Sequence, residues 1–403
     1  MRRGVDRLLG GVNSIALERC RLEQENRRVL VINPGSTSTK LGVYSRQGAE
    51  WVRSIRHGDE ELKRFGGLPM VARLGYRAGL IQQALAEAGY LEAGSGQGRF
   101  AAVAGRGGLL PPMVCGTYQV DDTMVEELRL ARRGEHASNL GALLALRFAT
   151  ASGVNAYVVD PVTVDEWREC ARLSGSPLVP RNCIGHVLNT KATARRYARE
   201  QGRAYASLRL IVIHMGSGNT VSAHRDGRTI DSNTIEDGPF GADRCGGLPV
   251  RELIKLCFSG RLAQKEIDRH VFGDGGIFAY LGTRDLQEVE RRIDVGNQEA
   301  ALVLDAMLYQ IGKEAGSMAA VLEGKVDAVL LTGGMAYSER VVSRLRGYLE
   351  WIAPIAVYPG EDELQALAEG VLRVLDGEEP AKKLGTESRD QAQTREPLMI
   401  GLE

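Results

Sequence analysis

Short apolar runs that end in small polar turns recur along this chain. The first run covers residues 29–33, and the turn after it carries four consecutive hydroxyl side chains and then Lys40. A second apolar run follows directly at residues 41–45. Apolar runs of this length, bounded by glycine and proline, are typical of buried strands. The pattern therefore predicts strand, polar turn and strand.

The same pattern appears again about half a chain later. Residues 210–214 form an apolar run, residues 216–219 read Gly-Ser-Gly-Asn, and a second run continues to residue 223. Each copy is followed by a third strand-like run, at residues 51–57 and 228–233. A repeat of this size predicts a duplicated domain. A third glycine turn, at residues 332–335, follows the run at 327–331, and we expect a nucleotide in a cleft between two lobes.

Between these strands the apolar residues recur at helical spacing, which predicts an α/β protein. The predicted helices cover residues 68–90, 121–130, 138–151, 187–199, 250–269, 285–322 with a break near Gly296, 338–349 and 362–375. Further strands are predicted at residues 100–104, 155–159 and 355–358.

Length and charge narrow the function classes. A chain of 403 residues suggests two or three domains. Lys plus Arg equals Asp plus Glu at 51 each, which argues against nucleic acid as the main partner, because phosphate backbones require a basic field. No apolar run is long enough to span a bilayer, and residues 1–28 lack the pattern of a secretory leader. Six cysteines without zinc-like spacing favour free thiols in a reducing cytoplasm.

The hydroxyl-rich turn at residues 34–40 allows two interpretations. Hydroxyls, backbone amides and the Lys40 ammonium can cradle an anion. Serine and threonine are also ordinary turn residues, so a plain polar hairpin fits equally well. The turn is not a Walker A loop, since that motif places glycine directly before the lysine and Thr39 stands there.

Two arginines and an aspartate lie at positions where side chains commonly bind a ligand or a metal ion. Arg106 is flanked by glycines at the end of a predicted strand, and Arg244 lies in the glycine-rich segment 238–249. Glycines let the backbone approach a ligand closely, which favours a site at Arg106 over the alternative of a surface loop charge. Asp160 precedes Pro161 at another strand end and suits either a metal-side carboxylate or a helix start.

Seven segments, taken in order, resemble the acetate and butyrate kinase family (the acetokinases), and most closely its butyrate kinases. The segments are NPGSTSTK (33–40), AGRGGLLPP (104–112), GEHASNLGA (134–142), VDPVTVDE (159–166), HMGSG (214–218), LTGGMAYS (331–338) and YPGEDEL (358–364). The resemblance covers about residues 28–379. It implies the two-lobed, duplicated ribonuclease-H-like fold of actin, Hsp70 and sugar kinases, with a nucleotide cleft between the lobes.

The resemblance also implies the domain plan. Residues 1–28 would be an N-terminal extension, and 29–160 the first lobe, completed by a helix at about 363–378. Residues 161–362 would form the second lobe, and 379–403 a polar tail. A homodimer or larger homo-oligomer is implied as well.

The implied activity is reversible phosphoryl transfer from Mg-ATP to the carboxylate of a short-chain fatty acid, giving acyl phosphate and ADP. Butyrate or a branched acid such as isobutyrate is expected, with acetate or propionate as the alternative. The implied catalytic residues are Arg106, Arg244, Asp160, His186 and Asn33. The implied nucleotide-binding residues are Ser36, Ser38, Lys40, His214, Gly216, Ser217, Gly218, Gly333 and Gly334. The implied Mg²⁺ ligands are Asp160 and a glutamate, with Glu363 preferred over Glu361.

The charges of the reactants explain why such an enzyme needs arginines. A carboxylate and a phosphoryl group at about 4 Å repel by roughly 4 kcal/mol at an effective dielectric constant near 20. No general base is needed, because the carboxylate arrives deprotonated. Ser217 and Gly185 depart from the family pattern, since acetate kinases usually carry asparagine at the first position and an aromatic residue is expected at the second. Both departures put the size of the substrate in doubt.

Two rival functions share the fold. A nucleotide-dependent binding module of the actin or Hsp70 type would bind ATP without a second small substrate, and the two glycine-flanked arginines argue against it. A sugar kinase would need an aspartate base facing a hydroxyl, and Asp160 could take that role.

Overall fold

The computed structural model describes residues 27–92, 97–234 and 236–384. The predicted N-terminal extension and polar tail lie outside these ranges except for residues 27–28 and 379–384. The described chain divides into two compact units. Unit 1 comprises the described residues up to Thr163 and from Glu363 onward, and unit 2 is Val164–Asp362.

Unit 1 is built on a six-stranded sheet in the order β3-β2-β1-β4-β6-β5. Its strands are β1 (Val29–Pro34), β2 (Ser38–Ser45), β3 (Gly48–Arg56), β4 (Ala102–Gly105), β5 (Thr117–Gln119) and β6 (Asn155–Val159). The first three form the predicted antiparallel meander, and β4 and β6 continue the sheet in parallel with β1. The three-residue strand β5, antiparallel to β6, was not predicted, because so short a run has no readable alternation.

Helices cover this sheet. They are α1 (Asp59–Lys63), α2 (Leu74–Glu87), α3 (Asp122–Leu130) and α4 (Asn139–Ser152). The predicted helix at 68–90 begins with a 3₁₀ turn, Met70–Arg73, before α2. Asp121 caps α3 by accepting a hydrogen bond from the amide of Met124 at 2.8 Å, which satisfies one of the unpaired N–H groups of the first turn.

Unit 2 repeats this topology, with a five-stranded sheet in the order β11-β10-β7-β8-β9. Its strands are β7 (Leu210–Met215), β8 (Asn219–Arg225), β9 (Arg228–Ser232), β10 (Ala328–Gly333) and β11 (Ile355–Pro359). An antiparallel meander, β7-β8-β9, is again extended by two parallel strands, β10 and β11. The same strand order in both units confirms the duplication predicted from the sequence.

Eight helices accompany the second sheet in the described chain. They are α5 (Glu169–Arg172), α6 (Val187–Glu200), α7 (Val250–Cys257), α8 (Gln264–Val271), α9 (Gly276–Leu281), α10 (Leu286–Asp294), α11 (Gln298–Val321) and α12 (Glu339–Leu349). The prediction of one helix over residues 250–269 is wrong: α7 ends at Cys257, and Gly260 takes a left-handed φ of 68° before α8 begins. The predicted break near Gly296 is confirmed, and Asn297 caps α11 there.

The last helix, α13 (Glu363–Leu375), belongs to unit 1. Its residues Leu367 and Val371 are fully buried, and the hydroxyl of Thr117 donates to the carbonyl of Gly370 at 3.0 Å. A Cβ at Gly370 would lie 2.4 Å from a methyl of Val159. Glycine therefore allows α13 to lie close to β6, and this contact fixes the position of Glu363 at the start of the helix.

The residues described include no helix that is both long enough and apolar enough to cross a membrane. Cys115, Cys170, Cys183, Cys245 and Cys257 are free thiols, as predicted for these five cysteines.

Helix α4 meets the end of β4 through two glycines. A Cβ at Gly105 would lie 2.3 Å from the carbonyl oxygen of Gly141, and a Cβ at Gly141 would lie 2.1 Å from the carbonyl oxygen of Arg106. Real Cβ atoms do not approach so closely, so the backbone that carries Arg106 depends on glycine at both positions.

We expect Gly141→Ala to lower the free energy of unfolding by about 1–3 kcal/mol, the usual range for inserting a methyl into a filled space. Chemical denaturation would measure the loss. Gly79→Ala in α2 is the matched control, because no atom lies within 4 Å of its added Cβ. The control should be stabilised by about 0.4–1 kcal/mol. Equal effects of the two substitutions would contradict the proposed close contact.

Candidate active-site residues

The hydroxyl-rich turn joins β1 to β2 in unit 1. It is tight, since the amide of Gly35 donates to the carbonyl of Ser38 at 2.8 Å. Ser36 and Lys40 are exposed, Ser38 is half-buried, and Thr39 points inward and is buried. Asn33 lies opposite Lys40 in the β1–β2 register. Side chains of opposed residues lie on one face of a sheet, so the donors of Asn33 and Lys40 are neighbours.

Three predicted site residues meet in unit 1 beside this turn. The guanidinium of Arg106 donates to Oε1 of Glu363 at 2.5 Å, and the amide of Asn33 donates to Oε2 of the same carboxylate at 2.6 Å. The Arg106 and Glu363 side chains are only 13% and 20% exposed. Glu363 thus orients both donors, and we call these three residues the Arg106 cluster.

The loop that carries Arg106 is held by the N-terminus of α4. The side-chain carbonyl of Asn139 accepts from the amide of Leu109 at 2.9 Å, and its NH₂ group donates to the carbonyl of Gly134 at 3.0 Å. The conspicuous segment GEHASNLGA therefore has a positioning role in this structure, one that the sequence alone did not assign.

Asp160 follows β6 and is fully buried. Its Oδ1 accepts from the amide of Gly116 at 2.8 Å, and its own amide donates to the carbonyl of Gly116 at 3.1 Å. Its φ of 38° lies in the left-handed region, which costs free energy for a residue with a side chain. Such strain is typical of residues whose position is set by function.

In unit 2 the turn between β7 and β8 lies against the glycine-rich loop that carries Arg244. A Cβ at Gly218 would lie 2.7 Å from Nη1 of Arg244, and a Cβ at Gly241 would lie 2.4 Å from the carbonyl oxygen of Ser217. Only glycine at these positions lets the guanidinium lie beside the turn at Gly216, Ser217 and Gly218.

The guanidinium of Arg244 is held mainly by an aromatic ring. Its Cζ lies 4.7 Å from the centre of the Phe272 ring, a cation–π distance. Burial lowers the pKa of Arg244 below its ordinary value, and the nearby Asp243 opposes that shift. Arginine starts from so high a pKa that the group keeps its charge at neutral pH.

His186 and His214 form a stacked pair in unit 2. Their ring centroids are 3.9 Å apart and the rings are 14° from parallel. Nδ1 of His186 lies 2.9 Å from the Thr220 hydroxyl, and Nδ1 of His214 lies 3.0 Å from Oδ1 of Asn189. Sequence reasoning missed Thr220 and Asn189. Asn189 could have been found, because it stands three residues after His186, in the first turn of α6.

The two candidate metal-site glutamates have different surroundings. Glu363 belongs to the Arg106 cluster of unit 1. Oε1 of Glu361 lies 3.2 Å from Nε2 of His214 and beside Gly216 in unit 2. The two glutamates are therefore not interchangeable.

Gly333 and Gly334 lie at the carboxyl end of β10. Gly333 has a φ of 91°, and a Cβ there would lie 2.2 Å from the carbonyl oxygen of Met215. Because β7 and β10 are parallel neighbours, this turn and the turn after β7 lie at the same edge of the sheet. Ligands of α/β proteins bind at that edge.

The chain is similar to known proteins in its sequence and in its fold. Residues 185–352 match the model of the acetokinase family. A probable butyrate kinase of Clostridium botulinum (strain Alaska E43 / Type E3) is 45% identical over 357 residues, which is 88% of this chain and 99% of that protein. Butyrate kinase 1 of Clostridium acetobutylicum (strain ATCC 824) is 46% identical over 358 residues, with the same shares covered.

Among solved structures, Porphyromonas gingivalis acetate kinase matches with a TM-score of 0.71 at 18% identity. The match covers 87% of this chain and all of that chain, and it confirms the predicted fold class. Because relatives that are nearly half identical align over almost their whole length, the chain belongs to the acetokinase family.

Proposed function

We propose that this protein transfers the γ-phosphoryl group of ATP to the carboxylate of a short-chain fatty acid, with butyrate or a branched acid as the substrate. A carboxylate oxygen forms a bond to phosphorus, the bond between the β-γ bridging oxygen and the γ-phosphorus breaks, and ADP leaves. The Arg106 cluster is the observation that carries the proposal. A mostly buried guanidinium, oriented by a carboxylate, is what a site for anionic reactants requires.

Arg106 and Arg244 are proposed to offset the repulsion between the carboxylate and the phosphoryl group. Arg106 is oriented by Glu363, and Arg244 by the ring of Phe272 and the glycines around it. Because both are fixed before substrates bind, little reorganisation is needed in the transition state. His186 is proposed to stabilise the same charge, since its stacking on His214 and its contact with Thr220 fix the orientation of its ring.

The polar turns are proposed as the nucleotide site. Exposed donors at a strand end suit phosphate oxygens, and glycine-rich turns let the backbone approach them. The proposed residues are Ser36, Ser38, Lys40, His214, Gly216, Ser217 and Gly218 for the phosphates and Gly333 and Gly334 for adenosine.

Mg²⁺ is part of the proposal. In the part of the chain that the structure describes, no group of three or more His, Cys, Asp or Glu side chains could hold a metal ion. Mg²⁺ on a nucleotide usually binds one or two carboxylates, phosphate oxygens and waters, so Asp160 and Glu363 fit this mode and not a protein-only cage. When bound, Mg²⁺ would supply positive charge to the phosphate oxygens.

The cytoplasm is the proposed location, since the described cysteines are free thiols and such thiols persist in a reducing compartment. A homo-oligomer belongs to the same proposal. Phe258, which is 86% exposed in unit 2, is a side chain that an oligomer could bury.

Trapping of the product with hydroxylamine tests the function directly. With ATP and Mg²⁺, we expect acyl hydroxamate from butyrate and isobutyrate in excess of that from acetate. One methylene is worth about 1–3 kcal/mol in an apolar pocket, or roughly 10- to 200-fold in kcat/KM. Reactions without ATP are the control. Absence of hydroxamate with every acid from acetate to hexanoate would contradict the proposal, and phosphorylation of a polyol would favour a sugar kinase.

A further inference from the structure

Among the described residues of unit 1, Arg77 is the largest side chain that is completely buried. It lies on α2, directly behind the turn between β1 and β2. Its Nη1 donates to the Thr39 hydroxyl at 3.2 Å, and at 3.4 Å to the carbonyl of Ser38. Its Nη2 donates to the carbonyl of Ser36 at 3.2 Å. These acceptors lie in the turn and in the first two residues of β2.

No carboxylate balances this charge among the residues that the structure describes. Burial lowers the pKa of Arg77, the positive charge of Arg73 lowers it further, and Tyr76 opposes the shift. His57, which lies 2.9 Å from the Thr39 hydroxyl, is neutral at pH 7, because burial and the charge of Arg77 lower its pKa to about 4. By comparison Arg373, which is less deeply buried, pairs with Glu379 at 3.1 Å. A buried charge without a counter-ion is costly, so its retention calls for a reason.

The contacts of Arg77 set the direction of the backbone in the turn. In a planar trans peptide the C=O and the next N–H point in opposite directions. The carbonyl of Ser36 points inward to Arg77, so the amide of Thr37 points away from it, toward the exposed side. The exposed side is where Ser36 and Lys40 present their donors. A phosphate there would meet the amide, the side-chain donors and the field of the buried guanidinium.

We infer that Arg77 is a positioning residue for the nucleotide: it holds the turn of residues 36–39 open to phosphate, and the bound phosphates balance its charge. The inference rests on the proposed function, because it assumes that this turn binds ATP. Arg77 acts through the carbonyls of Ser36 and Ser38 and does not itself touch the substrate.

The test compares the full-length protein with Arg77→Met and Arg77→Lys. Arg77→Met keeps the length of the chain and removes the charge. It should raise the KM for ATP about 10- to 100-fold, the range expected from losing charged hydrogen bonds. The KM for butyrate should stay unchanged, and kcat should fall by less than about threefold. Without nucleotide its Tm should not fall below that of the wild type, whereas the rise in Tm at a given concentration of the ATP analogue AMP-PNP should be clearly smaller than in the wild type.

Arg77→Lys should give a KM for ATP between those of the wild type and Arg77→Met. The lysine ammonium retains the positive charge, but it lacks the two guanidinium nitrogens that donate to two carbonyls at once. Arg373→Met is the matched control. Its side chain is mostly buried, and it lies on α13 ten residues beyond Glu363, about 15 Å along the helix axis. It should lower the Tm and leave the KM for ATP unchanged.

Three results would overturn the inference. One is a lower Tm of Arg77→Met with an unchanged KM for ATP, which would assign Arg77 a structural role. The second is failure of both Arg77 variants to fold, which leads to the same assignment. The third is a wild type that shows no rise in Tm with AMP-PNP; this removes the proposed function itself, and it is seen before any variant is compared.

Discussion

Arg106→Ala and Arg244→Ala are each expected to lower kcat with butyrate by about 10²-fold or more. Each substitution removes one preorganised donor that stabilises the negative charge of the transition state, and losses of this size are usual for such donors. Both guanidiniums belong to the proposed machinery, and each is fixed in its own unit before substrate binds. Steady-state rates from the hydroxamate assay, with saturating ATP and acid, would measure the loss.

The two arginine variants should differ in stability. Arg106→Ala leaves the carboxylate of Glu363 mostly buried with only Asn33 as a donor in the cluster, so its free energy of unfolding should fall as well. Arg244→Ala removes a cation that has no such close carboxylate partner, and its main effect should be on rate. Arg53→Ala is the control, since Arg53 forms an exposed ion pair with Glu87 on the surface of unit 1. This substitution should change neither kcat nor the free energy of unfolding. Turnover close to that of the wild type in either site variant would show that the site has been misplaced.

The sequence predicted the strands and turns well, because their signals are local. Alternating and continuous apolar runs identified both meanders, and glycines marked the turns that carry Arg106 and Gly333. The break between α7 and α8 was missed. Apolar residues on both sides keep helical spacing through residues 258–263, and only the backbone of Gly260 shows the interruption.

Contacts between distant residues could not be predicted from local pattern. Asn33 and Glu363 are separated by 330 positions, and no periodicity in the sequence relates them. Arg77 is a different case. It falls between Leu74 and Ile81 on the apolar stripe of α2, so a charged residue at a core position was visible in the sequence. Without the fold, that position could not show which groups the guanidinium contacts.

Glu363→Gln is expected to lower kcat by about 10²-fold, because two charge-assisted hydrogen bonds, worth roughly 1.5–3 kcal/mol each, lose their ionised acceptor. The carboxylate accepts from both Arg106 and Asn33, and glutamine would turn its NH₂ group toward one of these donors. Arg106 would then lose its orientation while the backbone of α13 stays in place. The same substitution should raise the apparent KM for Mg²⁺, since glutamine is a weaker ligand for a hard cation than a carboxylate.

Glu361→Gln is the matched comparison, two residues earlier in the chain. The Glu361 side chain is 36% exposed and contacts His214, not Arg106. Loss of the Glu361 charge should lower kcat by less than about tenfold, because a single partly solvated contact contributes little. The apparent KM for Mg²⁺ should stay within about twofold of the wild-type value. Titration of each variant with Mg²⁺ at fixed ATP separates the two glutamates. A larger shift for Glu361→Gln would transfer the metal-side role to unit 2, and Glu363 would then serve only to orient Arg106.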